Sequence, residues 1–162
     1  MENLIAPWRI EYILRPKTLG AVESVFTRIA QSSDDVANHV IYRGKTCFSV
    51  LNSFPYNGGH ILVCPYREVP DFSALTDEEK LELMNQTQRC IEALKETMKP
   101  QGFNVGVNLG QVAGAGIVEH LHLHIVPRWN GDTNFMPVIG ATGVLPEALL
   151  EVAARLRAVL NR

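Results

Sequence analysis

The sequence has only three cysteines, Cys47, Cys64 and Cys90, widely spaced and in no CxxC pair. An odd, scattered set excludes a disulfide framework and points to a reducing, cytoplasmic setting in which the three are small buried hydrophobes. There is no excess of either charge: 15 Lys and Arg stand against 17 Asp and Glu, for a formal −2. A general attraction to nucleic acid or to an anionic membrane surface is thereby excluded, so any recognition of phosphate must be local. Long apolar runs are missing too. Residues 1–9 carry Glu2, Asn3 and Pro7, which predicts neither a signal peptide nor a membrane span. No repeat, low-complexity tract or compositional break divides the 162 residues, of which 46% are hydrophobic, so one domain with a sizeable core over 1–162 is expected.

What is present is concentrated in His120-Leu121-His122-Leu123-His124-Ile125-Val126-Pro127. Alternate residues of a β-strand share a face, which puts His120, His122 and His124 on one side and Leu121, Leu123 and Ile125 on the other. The leucine side can bury, whereas three imidazoles on one face must find polar partners. Three of the chain's five histidines in strict alternation are poorly explained by packing. This stretch is a site.

The other elements are arranged around it. Residues 1–20 read as an N-terminal arm that packs across the domain or on a partner. A short helix is expected over Ala21–Gln31, with Val22, Val25, Phe26 and Ile29 inward. A hairpin follows, Asn38–Tyr42 and Thr46–Leu51, turning at Arg43-Gly44-Lys45, whose two cations read as a solvated tip. His39, at the hairpin edge, reads as structural or exposed. After the polar loop 52–59, His60-Ile61-Leu62-Val63-Cys64-Pro65 is a strand, and the two glycines before His60 let backbone approach a ligand closely. Thr76 and Glu79 form a capping box for the longest helix, with Met84, Thr87, Ile91, Leu94 and Met98 on one face and Pro100 and Gly102 at its end. Residues 103–109 alternate as a strand. The glycine-rich Gly110–Gly116 leads directly into the histidines, and such loops can turn backbone N–H groups toward phosphate. Arg128 could meet polyphosphate, although a cation after a strand is ordinarily solvated. An amphipathic helix over 146–160 places Leu149, Val152, Ala153, Leu156 and Leu160 on one side.

Two chemistries suit clustered imidazoles. Three histidines with an open position can hold a catalytic zinc, but carboxylates that would orient such ligands are scarce here, Glu119 being the adjacent one. Alternatively a neutral imidazole attacks phosphorus while its neighbours donate hydrogen bonds, a role for which a pKa near neutrality is suited.

His120-Leu-His122-Leu-His124-Ile125-Val126 resembles the signature of the histidine triad superfamily of nucleotide hydrolases and transferases. Asn52, Pro55, Gly59 and His60–Val63, the Pro7-Trp8-Arg9 arm and the Pro127-Arg128-Trp129, Gly131-Asp132 and Asn134-Phe135 segment extend the likeness over residues 4–160. It is nearest the fragile-histidine-triad-like and diadenosine tetraphosphate phosphorylase-like bacterial branch. The resemblance implies an α+β fold with about five antiparallel strands flanked by helices, a homodimer, and nucleotides or dinucleoside polyphosphates as substrates. It also implies that His122 attacks the α-phosphorus and that His124 contacts the α-phosphate, with His120 and His60 in a supporting hydrogen-bond network. Asn52 would hold the ribose, and Asn108 and the Gly114-Ala115-Gly116 loop would lie near the phosphates. Water or inorganic phosphate would accept the nucleotide. Adenylated amines, or slow turnover in a binding and regulatory role, are the alternatives.

Two departures from the resemblance matter. Some bacterial members hold a structural zinc with a CxxC and two histidines; here the matching positions read Ser24-Val25-Phe26-Thr27 and Arg67-Glu68. No metal and no cofactor are therefore expected. Gly116 stands where many relatives have Gln or Ser, which leaves the leaving phosphate to backbone N–H groups, His120 or a basic residue.

Overall fold

The computed structural model describes residues 23–133, Phe135, Ile139 and 147–162. The expected arm over 1–20, the opening of the helix at Ala21 and Val22, and Asn134, Met136, Pro137 and Pro146 lie outside the described residues.

In chain order the elements are α1 (Val25–Gln31), β1 (Val40–Arg43), β2 (Cys47–Leu51), β3 (Ile61–Pro65), α2 (Asp77–Met98), β4 (Gly102–Val107), β5 (Leu123–Arg128) and α3 (Leu149–Leu160). Single 3-10 turns lie at Phe72–Ala74 and Gln111–Ala113. The strands form one antiparallel sheet in the order β1-β2-β3-β5-β4. The fold is thus α+β, as the sequence led us to expect.

The β-branched and apolar content of β2 and β3 is so dense that both faces of each strand are buried, and each face needs its own cover. On one face Cys47, Leu51, Ile61, Val63, Leu123 and Ile125 pack under α2 and α3 through Leu83, Cys90, Leu94, Val152 and Leu156. On the other, Phe48, Val50, Leu62 and Cys64 pack under α1 through Phe26. The histidine site belongs to this second, thinner side.

α2 begins at the expected capping box: Glu79 N–H donates to the Thr76 hydroxyl and Thr76 N–H to the Glu79 carboxylate. It ends where Lys99 turns left-handed before Pro100. Its inward stripe is Leu83, Gln86, Thr87, Cys90, Ala93 and Leu94, and Met84 is 57% exposed, so the expected face was phased about one position off. The displacement arises because polar Gln86 is an inward residue. It is paid for by hydrogen bonds, with Ser49 Oγ donating to Gln86 Oε1 at 2.8 Å and Gln86 Nε2 to the Cys47 carbonyl at 2.7 Å.

α1 is shorter than expected and exposes Val25, while Phe26 is buried. Arg43 is also not a solvated hairpin tip. Its guanidinium donates to the carbonyls of Ile29, Ala30 and Ser32 at the end of α1 and pairs with Asp35 at 2.8 Å. Lys45 does behave as a surface cation, pairing with exposed Glu78. His39 is half-buried with φ 56°, just before a register irregularity in β1.

Candidate active site

β5 starts at Leu123, so His124 alone of the three histidines lies within it, and His120 and His122 occupy the extended approach. The alternation survives without the ladder, because the Leu121 N–H is bonded to the Val69 carbonyl at 2.6 Å and Leu121 is buried. His124 faces Leu62 on β3 and Gly106 on β4. A Cβ on Gly106 would meet nothing within 4 Å, so the side of His124 toward β4 is open.

The rings form a row. His60 and His124 are 5.1 Å apart between centroids, and His124 and His122 are 4.9 Å apart. His120 stands off from the row, beyond Phe26, whose ring meets His120 edge-on at 5.5 Å and His122 at 5.0 Å. Tyr56 closes the other end, 4.8 Å from His60 and nearly parallel to His124 at 5.9 Å.

Hydrogen bonds to main-chain atoms dictate where the protons of His60, His120 and His122 sit, and His60 in turn sets that of His124. The Tyr56 N–H donates to His60 Nδ1 at 3.1 Å, so the His60 proton is on Nε2, which lies 2.9 Å from His124 Nδ1. His124 therefore accepts at Nδ1 and carries its proton on Nε2. His122 Nδ1 lies 2.8 Å from the carbonyl of His120, which can only accept, so His122 has a lone pair on Nε2. His120 Nε2 donates in turn to the Pro65 carbonyl at 2.8 Å.

Burial favours the neutral form of His60, His120 and His122. His60 is fully buried, and desolvation, with His124 and His122 beside it, pushes its pKa down to about 3. For His122 desolvation also outweighs the hydrogen bond to the His120 carbonyl, and its pKa falls below the usual value. His120 shifts the same way for the same first reason, opposed by the Pro65 carbonyl and the Glu68 charge.

The remaining sequence candidates are spread around this row. The Asn52 amide lies 3.3 Å from His60 Nδ1, and its Oδ1 accepts the Phe54 N–H at 2.9 Å, so the loop holds the side chain in place. Asn108 directly follows Val107, which pairs with Leu123 at the end of the β4–β5 ladder nearest His122. In the glycine loop, the N–H groups of Gly114 and Ala115 bond to the carbonyls of Gln111 and Gly110. Those two amides are committed to the loop's own turn. Ile117 packs against the Phe26 cluster and carries the loop end to the site side of the sheet.

The rest of the framework escaped the sequence reading. Asn57 donates to Asp132 at 2.9 Å and to the Pro127 carbonyl, tying the loop before His60 to the segment after β5. Arg128 is exposed, as a cation after a strand ordinarily is, and its guanidinium pairs with that same Asp132 at 2.6 Å and with Asn104. Ser24, Thr27, Glu68 and His120 do come together, as the matching positions of zinc-bearing relatives would require. The set offers no thiolate, Ser24 and Thr27 bring only hydroxyls, and the Glu68 carboxylate is already taken by the Ser24 N–H and the Thr27 hydroxyl. These residues do not fit a tetrahedral zinc site. Among the described residues no group of three or more His, Cys, Asp or Glu could hold a metal.

A row of imidazoles carried by β5, its approach and the residue just before β3 on a five-stranded antiparallel sheet defines a histidine triad protein. The family model described as the HIT domain matches residues 33–131, more than half of the chain, and the protein belongs to that family. Among curated relatives, the AP-4-A phosphorylase of Mycobacterium tuberculosis is 44% identical over 155 residues, covering 92% of this chain and 79% of the relative. The bis(5'-adenosyl)-triphosphatase of Dictyostelium discoideum is 35% identical over 95 residues, 59% of this chain and 63% of the relative. Among solved structures, a Zn-bound histidine triad family protein from Mycobacterium smegmatis superposes with a TM-score of 0.69 at 29% identity, covering 88% of this chain and 96% of that one.

Proposed function

We propose that the protein is an enzyme that cleaves dinucleoside polyphosphates, of the diadenosine tetraphosphate kind, through a nucleotidyl group carried on His122. The observation that carries this reading is the lone pair held on His122 Nε2 by the bond from Nδ1 to the His120 carbonyl. A nucleophile for phosphorus needs that nitrogen bare and the ring uncharged, and both conditions are met.

His122 Nε2 attacks the α-phosphorus, and the bond from that phosphorus to the bridging oxygen breaks, its electrons leaving with the nucleoside polyphosphate. The ring becomes an imidazolium whose Nδ1–H is already on a carbonyl. The Nε2–H of His124, its tautomer held by His60, donates to a non-bridging α-oxygen as charge builds there. Water or inorganic phosphate then attacks the same phosphorus, and His122 leaves as the neutral ring. Asn52 takes the ribose hydroxyls, and Asn108 and the Gly116 N–H lie toward the phosphates. The resemblance to a phosphorylase at 44% identity favours phosphate as acceptor.

The same reading includes a homodimer formed through β4. This strand is the sheet edge, Val105 is 46% exposed, and a Cβ on Gly102 or Gly106 would meet nothing within 4 Å; an open, flat edge of this kind favours pairing. Sedimentation of the protein, with Val105→Lys as the edge-blocking variant, checks it. Cys47, Cys64 and Cys90 are free and buried, which suits a cytoplasmic enzyme.

The test is incubation with diadenosine tetraphosphate, with and without inorganic phosphate, and chromatography of the products. ADP and ATP formed only with phosphate make it a phosphorylase. AMP and ATP formed in water alone make it a hydrolase that attacks the α-phosphorus. No product in either tube overturns the substrate assignment.

A further inference from the structure

α1 has seven residues, too few to hold its own shape, yet it supplies the ring that seals the inner side of two site histidines. Both of its ends are gripped by side chains from elsewhere. Arg43 takes the carbonyls at its C-terminal end. At its N-terminal end Glu68, on the connection after β3, accepts the Ser24 N–H at 3.1 Å and the Thr27 hydroxyl at 2.7 Å. Thr27 Oγ1 in turn stands 3.4 Å from His120 Nδ1. Glu68 is exposed and sits outside the ring row, so nothing in its own packing explains why its carboxylate is directed here. Phe26, between Ser24 and Thr27, is buried against His120 and His122.

We propose that Glu68 and Thr27 are positioning residues for His122: their clasp on the first turn of α1 keeps the Phe26 ring seated and water away from the inner side of the nucleophile. This rests on the assignment of His122 made above. Thr27 has one hydroxyl proton, and the shorter of its two contacts gives that proton to Glu68. Thr27 Oγ1 thus has no proton left for His120 Nδ1, 3.4 Å away, and the clasp reaches the site through the packing of Phe26 on His120 and His122. Loss of the clasp lets α1 shift and hydrates His122, whose neutral form depends on burial. The titratable groups facing His122 are His120 and His124 on its own segment and His60, just before β3, behind His124; Glu68 acts on it only through α1 and Phe26.

The test compares Glu68→Ala and Thr27→Val with Glu68→Gln and Thr27→Ser, in the full chain. The last two can still make the Thr27–Glu68 contact. Turnover of diadenosine tetraphosphate is measured across pH, and the His122 ring resonance is titrated by NMR without substrate. The first two variants should lose about fivefold or more in kcat with KM within about twofold. Their His122 midpoint should move up toward the free-imidazole value, and the conservative pair should recover most of both losses. Wild-type kcat together with an unmoved midpoint in Thr27→Val, which keeps the shape of the side chain and removes its hydroxyl, overturns the proposal. If the wild-type protein shows no turnover, the substrate reading has failed, and the NMR midpoint decides the clasp by itself.

Discussion

His122 Nδ1 and the main-chain carbonyl of His120 are 2.8 Å apart, two residues along the same chain. The contact is internal to the motif, so the motif orients its own central ring.

The first prediction follows from that orientation. His122→Ala should abolish turnover while nucleotide binding, measured by calorimetry, stays within a few-fold of wild type. Because burial lowers the His122 pKa, the ring is uncharged at and above neutral pH and is lost as a nucleophile only on acidification. The acid limb of kcat/KM should therefore fall below pH 6.5, the value for a free imidazole. An acid limb above pH 7 would point to a different essential base.

A second prediction concerns stability. His60 titrates near 3 in the folded protein and near 6.5 when unfolded, so between those values the unfolded chain binds the extra proton. Stability contributed by the neutral ring is complete above pH 6.5 and declines as pH falls toward 3. For this one group the loss between pH 7 and pH 5 is about 2 kcal/mol. Urea midpoints at the two pH values should show it, and His60→Gln should show a smaller difference.

Asn52 carries the third. Asn52→Ala should weaken binding of a ribonucleotide by about 1–3 kcal/mol, the cost of a buried hydrogen bond left unmade. The deoxyribose analogue should lose less. Equal losses for the two sugars would remove Asn52 from the ribose.

The fourth lies beside His60. Gly59 has φ 76°, and a Cβ there would stand 2.7 Å from Met98 Sδ and 3.1 Å from Leu94 Cδ2. Gly59→Ala should cost about 1–3 kcal/mol, from the left-handed backbone and the crowding together. Thermal unfolding measures it, and a loss of activity beyond the loss of stability would show that the His60 loop moves with it.

How far the sequence could be read follows the range of the interactions. The capping box at Thr76 and Glu79, the strands around Cys47–Leu51 and Ile61–Pro65, and the histidine alternation are local, and they were legible. The phase of α2 was not, because Gln86 is inward only by virtue of Ser49 and the Cys47 carbonyl, both far away in sequence. Arg43 looked like a hairpin tip for a similar reason, since the carbonyls it serves belong to α1. At the site, the shared side of His122 and His124 was foreseeable from the period-two spacing, whereas His60 was reached only through the family resemblance. The Asn57–Asp132 tie and the Glu68–Thr27 clasp span 75 and 41 residues, and no periodicity signals them.

The partners that assign the protons of His60, His120 and His122 are the Tyr56 amide and the carbonyls of Pro65 and His120, all atoms of the main chain, and His124 takes its tautomer from His60. Substitution changes side chains and leaves those atoms where they are. The protonation pattern is therefore inherited with the path of the backbone, and the residues lining the nucleotide pocket can diverge without resetting it. A change of substrate in this scaffold requires new walls, not a new nucleophile.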